Sequence, residues 1–305
     1  MPIIIDNQLP AKHNLELENI FVMSDSRAYT QDIRPLKILI VNLMPKKIET
    51  ETQILRLLSN SPLQIDVELL QMTSHKSKNT PSEHIHKFYK NFDQIKDEKF
   101  DGMIVTGAPV ETLAYEDVDY FEELCKVFDW SKTHVYSNLF ICWAAQAALY
   151  RKYNINKYPL SKKLFGVFEQ HTKNPFHALT RNLDDVFYMP HSRYTQIKAD
   201  DIEREEDLEI LAGSDLSGAS IIADKACRNF YILGHLEYDR ITLANEYFRD
   251  KNKGLKTALP YNYFPNDNTE KTPPLIWRQS ASVIFSNWLN YFVYQKTPYD
   301  INKIK

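Results

Sequence analysis

From Leu36 to Tyr153 the chain repeats one rhythm four times, a short apolar run followed by a stretch with helical spacing. The runs "LKILIVNL" (36–43), "QIDVELLQM" (64–72), "FDGMIVTGAP" (100–109) and "HVYSNLFI" (134–141) have the length and apolarity of strands buried on both faces. Between them, "IETETQILRLLSN" (48–60) predicts a helix with Ile54, Leu55, Leu57 and Leu58 inward, and "SEHIHKFYKNFDQIKD" (82–97) predicts a second. A third is expected over Tyr115 to Lys132, where Val118, Phe121, Leu124, Cys125 and Phe128 recur at helical spacing. "WAAQAALYRKY" (143–153) supplies the fourth. Parallel strands need long crossovers, and helices of this length provide them. The expectation is an α/β fold: a three-layer, doubly wound, mostly parallel sheet with helices on both faces.

Past about residue 160 strand signals dominate: "LFGVFEQH", "DVFYMPHSRY", "LEILAGS", "ASIIADK" and "NFYILGH". Two helices are expected to close the chain, the last with Ala281, Ile284, Phe285, Trp288 and Phe292 along a core-facing stripe. No linker rich in Pro, Gly or Ser separates the halves. The expected organisation is an N-terminal arm over 1–35 and a single α/β domain over 36–305.

Function classes fall away on composition. A formal charge of -3 and a pI near 6.3 lack the basic excess of a nucleic-acid binder. The three cysteines, Cys125, Cys142 and Cys227, form neither a CxxC nor a metal-type cluster, which suits a reducing cytoplasmic setting and no metal site. No export signal or membrane-length apolar run is expected either. The seven glycines form none of GxGxxG, GxxxxGK or GxSxG, so the usual dinucleotide, P-loop and serine-hydrolase fingerprints are missing.

One thiol stands out. In "NLFICWAAQAALY" Cys142 lies where an apolar strand hands over to an alanine-rich helix. Ligands collect at the carboxyl ends of strands in open α/β sheets, and a helix N-terminus favours thiolate over thiol. The N–H of Trp143 is then a natural oxyanion donor, with a second expected from the loop after "IVTGAP". Cys125, by contrast, belongs to a helical apolar stripe and reads as core.

Such a nucleophile needs a base. His84 and His86 on a polar helix and His13 in the arm are expected to be solvated, and His134 opens the nucleophile strand at the wrong end. Among the remaining candidates, His171, His177, His191 and His235, the last is the most informative. It follows a strand and Gly234 in "GHLEYD", with Glu237 two residues on. In extended chain these two side chains share a face, so the carboxylate can hold one ring nitrogen while the other meets the thiol. Cys142, His235 and Glu237 thus make a candidate triad of nucleophile, base and orienting acid.

The long motifs "LKILIVNLMPKKIETETQILRLL", "FDGMIVTGAPVE", "LFICWAAQAAL", "MPHSRYT", "GHLEYD", "YNYFPND" and "NWLNYFVYQ" resemble, in this order, those of the homoserine O-acyltransferases of bacterial methionine biosynthesis. The resemblance spans nearly the whole chain. It departs at Leu236, where relatives often carry proline, and at Ala144, where the related amidotransferases carry glycine. It implies a flavodoxin-like fold of the class I glutamine amidotransferase type, with a homodimer as the expected assembly. It further implies that Cys142 carries the acyl group as a thioester, that His235 and Glu237 complete the triad, and that acyl-CoA and L-homoserine are substrates with no cofactor. Lys163 and Ser192 are implied to line the substrate site. Glu246 and Arg249, three apart on a helix, suit the amine and carboxylate of the acceptor. Lys46 and Lys47 are candidates for the CoA phosphates.

In this family glutamate at the position of Glu111 goes with acetyl transfer and glycine with succinyl transfer. A succinyl carboxylate about 4 Å from Glu111 would be repelled by roughly 4 kcal/mol at an effective dielectric of about 20. Acetyl-CoA is therefore the expected donor and succinyl-CoA the alternative. Ser192 shares in this specificity by resemblance. Two remoter readings, a cysteine amidase or glutaminase and a non-catalytic binding protein, use the same fold without acyl transfer to homoserine.

Overall fold

The computed structural model describes residues 3–6, 8–17, 22–23, 34–75, 77 and 79–304. In chain order the first elements are β1 (Ile3–Ile4), α1 (Pro10–Leu17), β2 (Val22–Met23), β3 (Leu36–Val41), α2 (Lys47–Ser59) and β4 (Ile65–Leu70). Then come α3 (Ser82–Phe88), β5 (Tyr89–Lys90), α4 (Phe92–Ile95), β6 (Phe100–Val105), α5 (Phe121–His134), β7 (Val135–Ile141) and α6 (Trp143–Tyr153). The second half holds β8 (Tyr158–Thr172), β9 (Val186–Gln196), α7 (Ala199–Glu203), β10 (Leu208–Ser214), β11 (Gly218–Asp224), β12 (Asn229–Ile232), α8 (Thr242–Asn252) and α9 (Arg278–Asn287).

The described strands form one sheet ordered β2-β1-β4-β3-β6-β7-β12-β11-β10-β8-β9, with β5 beside β4. The centre, β4-β3-β6-β7-β12, is parallel throughout. From β12 outward the pairings through β11, β10, β8 and β9 are antiparallel. The parallel rhythm of the first half and the strand-rich second half therefore share a single sheet. Alternate residues of each central strand face opposite layers. Ile38, Ile40, Ile104, Leu139 and Ile141 pack under α1, α2 and α9, whereas Leu39, Val41, Met103, Val105 and Phe140 pack under α5 and α6. This is the physical content of three layers: strands apolar on both sides, each side covered by helices.

Four details differ from the sequence expectations. The helix expected over 82–97 is two short helices interrupted by β5, because Tyr89 turns inward to donate its hydroxyl to Glu51 at 2.6 Å. His84 is buried instead of solvated, its Nε2 2.9 Å from Glu51 Oε1. The helix expected from Tyr115 starts only at Phe121, with turns before it, and it takes in His134. The final helix changes to π-type winding at Trp288–Tyr294, with Trp288, Phe292 and Val293 all buried. Trp288 lies so close to the sheet that a Cβ on Gly102 would come within 2.9 Å of its ring.

Of the N-terminal stretch, β1 pairs with β4 and β2 pairs with β1, both in parallel, so the described part of residues 1–35 adds two strands to the sheet edge. Leu15 on α1 is fully buried in the same core as α2.

Candidate active site

At the carboxyl end of β7 the backbone breaks out of the strand at one residue. Cys142 has φ 50° and ψ -114°, between Ile141 of the strand and Trp143 of α6. A non-glycine residue held at positive φ is strained, and such strain persists only where the surroundings enforce it. Here two backbone bonds do so. Cys142 N–H donates to Ile232 C=O of β12 at 2.7 Å, and Gln146 N–H donates to Cys142 C=O at 3.2 Å, the first bond of α6. Trp143 begins the helix, so its N–H has no carbonyl of its own helix to meet. The sharp turn projects the thiol out of the sheet while keeping it buried, with 6% exposure.

The loop after β6 closes on this elbow. A Cβ placed on Gly107 would lie 3.2 Å from both Cys142 Cβ and His235 Cε1. A side chain there would crowd both atoms, so glycine lets the loop pass this close without displacing them, at the point where cysteine and imidazole meet. His235 follows β12, the parallel neighbour of β7, and its N–H donates to Pro190 C=O at 2.8 Å. Its Nδ1 is 2.7 Å from Glu237 Oε1, and its side chain is hydrogen-bonded to Cys142. Burial by itself lowers the imidazole pKa. The Cys142 and Glu237 charges and the hydrogen bonds to both outweigh it, so the pKa is raised well above 6.5. The structure thus joins Cys142, His235 and Glu237 in the order that nucleophile, base and orienting acid require.

Beside the triad lies a second polar group. Glu246 of α8 accepts from Lys163 Nζ at 2.6 Å and from Ser192 Oγ at 2.9 Å, and Arg249 stands 3.5 Å away. Lys163 comes from β8 and Ser192 from the adjacent β9, so residues distant in sequence meet because those strands are hydrogen-bonded and α8 packs over them. Arg249 is half exposed and also pairs with Asp250 at 2.7 Å. The expectation of an intrahelical Glu246–Arg249 relation holds geometrically, while the firmest grip on Glu246 comes from Lys163 and Ser192.

Glu111 sits in the turn after β6, half-buried. Its charge acts on Lys157, whose pKa is lowered to about 8 by burial against the opposing pull of Glu111 and Glu116. The lysine pair divides. Lys46 is exposed and 3.3 Å from Glu49, whereas Lys47 is buried, with its ammonium on the Asn42 carbonyl and 5.5 Å from the Tyr89 ring centroid. A cavity of about 450 Å³ opens between Lys46, Glu49, Thr80, Arg56 and Asp239.

Three functional neighbours escaped the sequence reading. Tyr238 stacks on His235 with ring centroids 4.1 Å apart. Gln146, one turn beyond the nucleophile, exchanges hydrogen bonds with Thr195, accepting from its hydroxyl at 3.0 Å. Those bonds tie the elbow helix to β9, and buried Arg193 of β9 donates to Thr195 C=O of its own strand and to Ser217 C=O in the β10–β11 turn at 2.6 Å each. Tyr238 was visible as part of "GHLEYD", but neither period nor spacing marks a tyrosine as a partner of the base. Among the described residues there is no group of three or more metal-binding side chains, and no helix is long and apolar enough to cross a membrane.

Known proteins fit this picture. A homoserine O-acetyltransferase from Clostridium beijerinckii is 57% identical over 304 residues, covering 100% of each chain. One from Acetivibrio thermocellus is 54% identical over 305 residues, again covering 100% of both. Among solved structures, a glutamine amidotransferase from Thermotoga maritima aligns with TM-score 0.57 at 10% identity, over 86% of this chain and 99% of that one. Another from Methylobacillus flagellatus aligns with TM-score 0.52 at 9% identity, over 84% and 95%. These likenesses show the fold, an open α/β sheet of the class I glutamine amidotransferase type. The sequence matches the family described as homoserine O-succinyltransferase over residues 2–299, and with full-length relatives above half identity the chain belongs to that family of homoserine acyltransferases.

Proposed function

We propose that the chain is a homoserine O-acetyltransferase, moving the acetyl group of acetyl-CoA through a thioester on Cys142 to the hydroxyl of L-homoserine. The observation that carries this reading is the buried Cys142–His235–Glu237 chain at a strand-to-helix elbow, in a sequence whose full-length relatives bear that name.

In the first half-reaction the Cys142 sulfur attacks the acetyl carbonyl. The Trp143 N–H, with a donor from the Gly107 loop, meets the developing oxyanion. The C–S bond to CoA breaks, and the imidazolium proton of His235 goes to the departing CoA sulfur. In the second, the homoserine hydroxyl attacks the thioester, His235 takes its proton, and the cysteine sulfur leaves. Glu237 holds Nδ1 throughout, which keeps Nε2 toward the sulfur. Glu246 serves the acceptor amine, while Arg249 and Lys163 serve its carboxylate, with Ser192 holding Glu246 in place. Lys46, exposed at the rim of the 450 Å³ cavity, is the member of the lysine pair available to a CoA phosphate.

Acetyl is favoured over succinyl because Glu111 puts a carboxylate where the succinyl carboxylate would need room. Mass spectrometry after mixing with acetyl-CoA alone should find one acetyl on Cys142 and none in Cys142→Ala. A rate panel with acetyl-CoA and succinyl-CoA, against homoserine, serine and glutamine, should show acetyl-CoA with homoserine fastest. Faster turnover with succinyl-CoA would overturn the donor assignment, and an unmodified Cys142 would overturn the thioester.

A further inference from the structure

Tyr238 lies between the two halves of the site. Its ring is stacked on the His235 imidazole at 4.1 Å with 13° between planes, and it is buried. Behind it pack Phe165 of β8, Leu243, Ala244 and Tyr247 of α8, and Trp277. Trp277 Nε1 donates to the Tyr238 carbonyl at 2.9 Å, and Tyr238 N–H donates to His235 C=O at 3.4 Å, so backbone and ring are both fixed. The helix that packs on Tyr238 also carries Glu246, and the Phe165 ring in the same cluster lies 4.2 Å from Lys163 Nζ. The ring thus stacks on the base and shares its apolar cluster with the helix that carries Glu246 and with the Phe165 ring beside Lys163.

We propose that Tyr238 is a positioning residue with two separable roles: its ring keeps the His235 imidazole turned toward Cys142, and its hydroxyl orients the amino-acid acceptor beside Glu246. The first role follows from stacking. Glu237 holds Nδ1 and Cys142 faces the other side of the ring, but hydrogen bonds in the ring plane leave the imidazole free to rotate about the line that joins them. A flat neighbour at 4.1 Å removes that freedom. The second follows from placement, with electrostatics beside it: Tyr238 packs in one cluster with Leu243, Ala244 and Tyr247 of α8, the helix that carries Glu246. Burial first, then the charges of Glu246, Glu237, Cys142 and Glu111, push the phenol well above 10. It therefore remains a neutral donor and cannot serve as a base. Among these charges Glu246 acts most strongly, on the acceptor side of the site.

The inference rests on the thioester reading above, and the experiment separates the two. Thioester formation on Cys142 with acetyl-CoA alone, followed by rapid-quench mass spectrometry, measures the first half-reaction, and later addition of homoserine measures the second. Tyr238→Phe keeps the ring, so acylation should stay within about twofold of the parent while transfer to homoserine falls roughly tenfold, the usual effect of one hydrogen bond. Tyr238→Leu removes the plane, so acylation itself should fall at least about tenfold, with a changed pH profile that Phe restores. Equal losses in both half-reactions for Y238F, or none, would overturn the acceptor role, and parental acylation in Y238L would overturn the ring role. Two readouts need no acyl donor: the pH profile of Cys142 alkylation by iodoacetamide, slower near neutrality in Y238L, and calorimetric binding of homoserine, weaker in Y238F. If the parent forms no thioester, the transfer reading fails and these two still decide Tyr238. Should Y238L fail to fold, Y238F still decides the hydroxyl role, and Tyr238→Met, which also lacks the plane, decides the ring role by the same acylation rate.

Discussion

The role proposed for Glu111 in donor choice works through charge. Glu111 lies in the turn after β6, within electrostatic reach of Lys157 and of Tyr238, the ring stacked on His235. Replacing it with glycine removes both the charge and the bulk. Glu111→Gly should raise the ratio of succinyl-CoA to acetyl-CoA kcat/KM by at least about tenfold, within the roughly thousandfold ceiling that a repulsion of about 4 kcal/mol sets. Initial rates with each donor measure this, and an unchanged ratio would remove Glu111 from donor choice. The same scale shows where sequence reading stops. His235 and Glu237 were legible because an i, i+2 pair in extended chain shares a face. His84 was not, because its partner Glu51 comes from another helix and nothing local marks their meeting. The burial of Lys47 was not legible for the same reason: Tyr89 comes from another part of the fold to close around it with Asn42 and Glu51, and nothing in the lysine pair marks which member turns inward.

The elbow formed by β7, Cys142 and α6 works as an element because the β6 loop approaches without a side chain. Gly107→Ala would set a methyl 3.2 Å from Cys142 Cβ and from His235 Cε1. Cys142 is already held at φ 50°, so it has little freedom to yield, and the imidazole is pinned by Glu237 and Tyr238. Steady-state kinetics should show kcat/KM down at least about tenfold, since small displacements of reacting groups have large effects on rate. Thermal melting should move by only a few degrees, because the added methyl meets the site and leaves the core layers intact; a variant with parental kcat/KM would show that the site has slack. The four parallel strands and their helices were legible because their apolar periods are long and strong. The break at β5 left a readable trace. Asn91 and Gln94 form a capping box that starts α4, with Asn91 Oδ1 accepting from Gln94 N–H at 3.1 Å. The π-wound turn at Trp288 left none, since the apolar stripe through Phe292 continues as it would on a straight helix.

Among the described residues, the fold buries one lysine ammonium, and its effect is global. Lys47 is buried at the start of α2, and burial lowers its pKa from 10.5 to about 8, with Glu51 pulling the other way. In the unfolded chain the lysine keeps its proton up to about 10.5. Between about pH 8 and 10.5 the unfolded state therefore binds more protons than the folded one at this site, and stability rises with pH through that window. Below it both states are protonated and the contribution to the slope vanishes. Since α2 joins the sheet edge, the Glu51–His84–Tyr89 group and the rim of the 450 Å³ cavity, this linkage should register in global unfolding. Denaturant titrations of the parent and Lys47→Met at pH 7, 8, 9 and 10 separate it from the other lysines and tyrosines, which titrate in both. The parent should gain on the variant by up to roughly 3 kcal/mol across the window, at about 1.4 kcal/mol per pH unit of full proton difference. Parallel stability curves would show that Lys47 reaches water and keeps its proton in the folded protein.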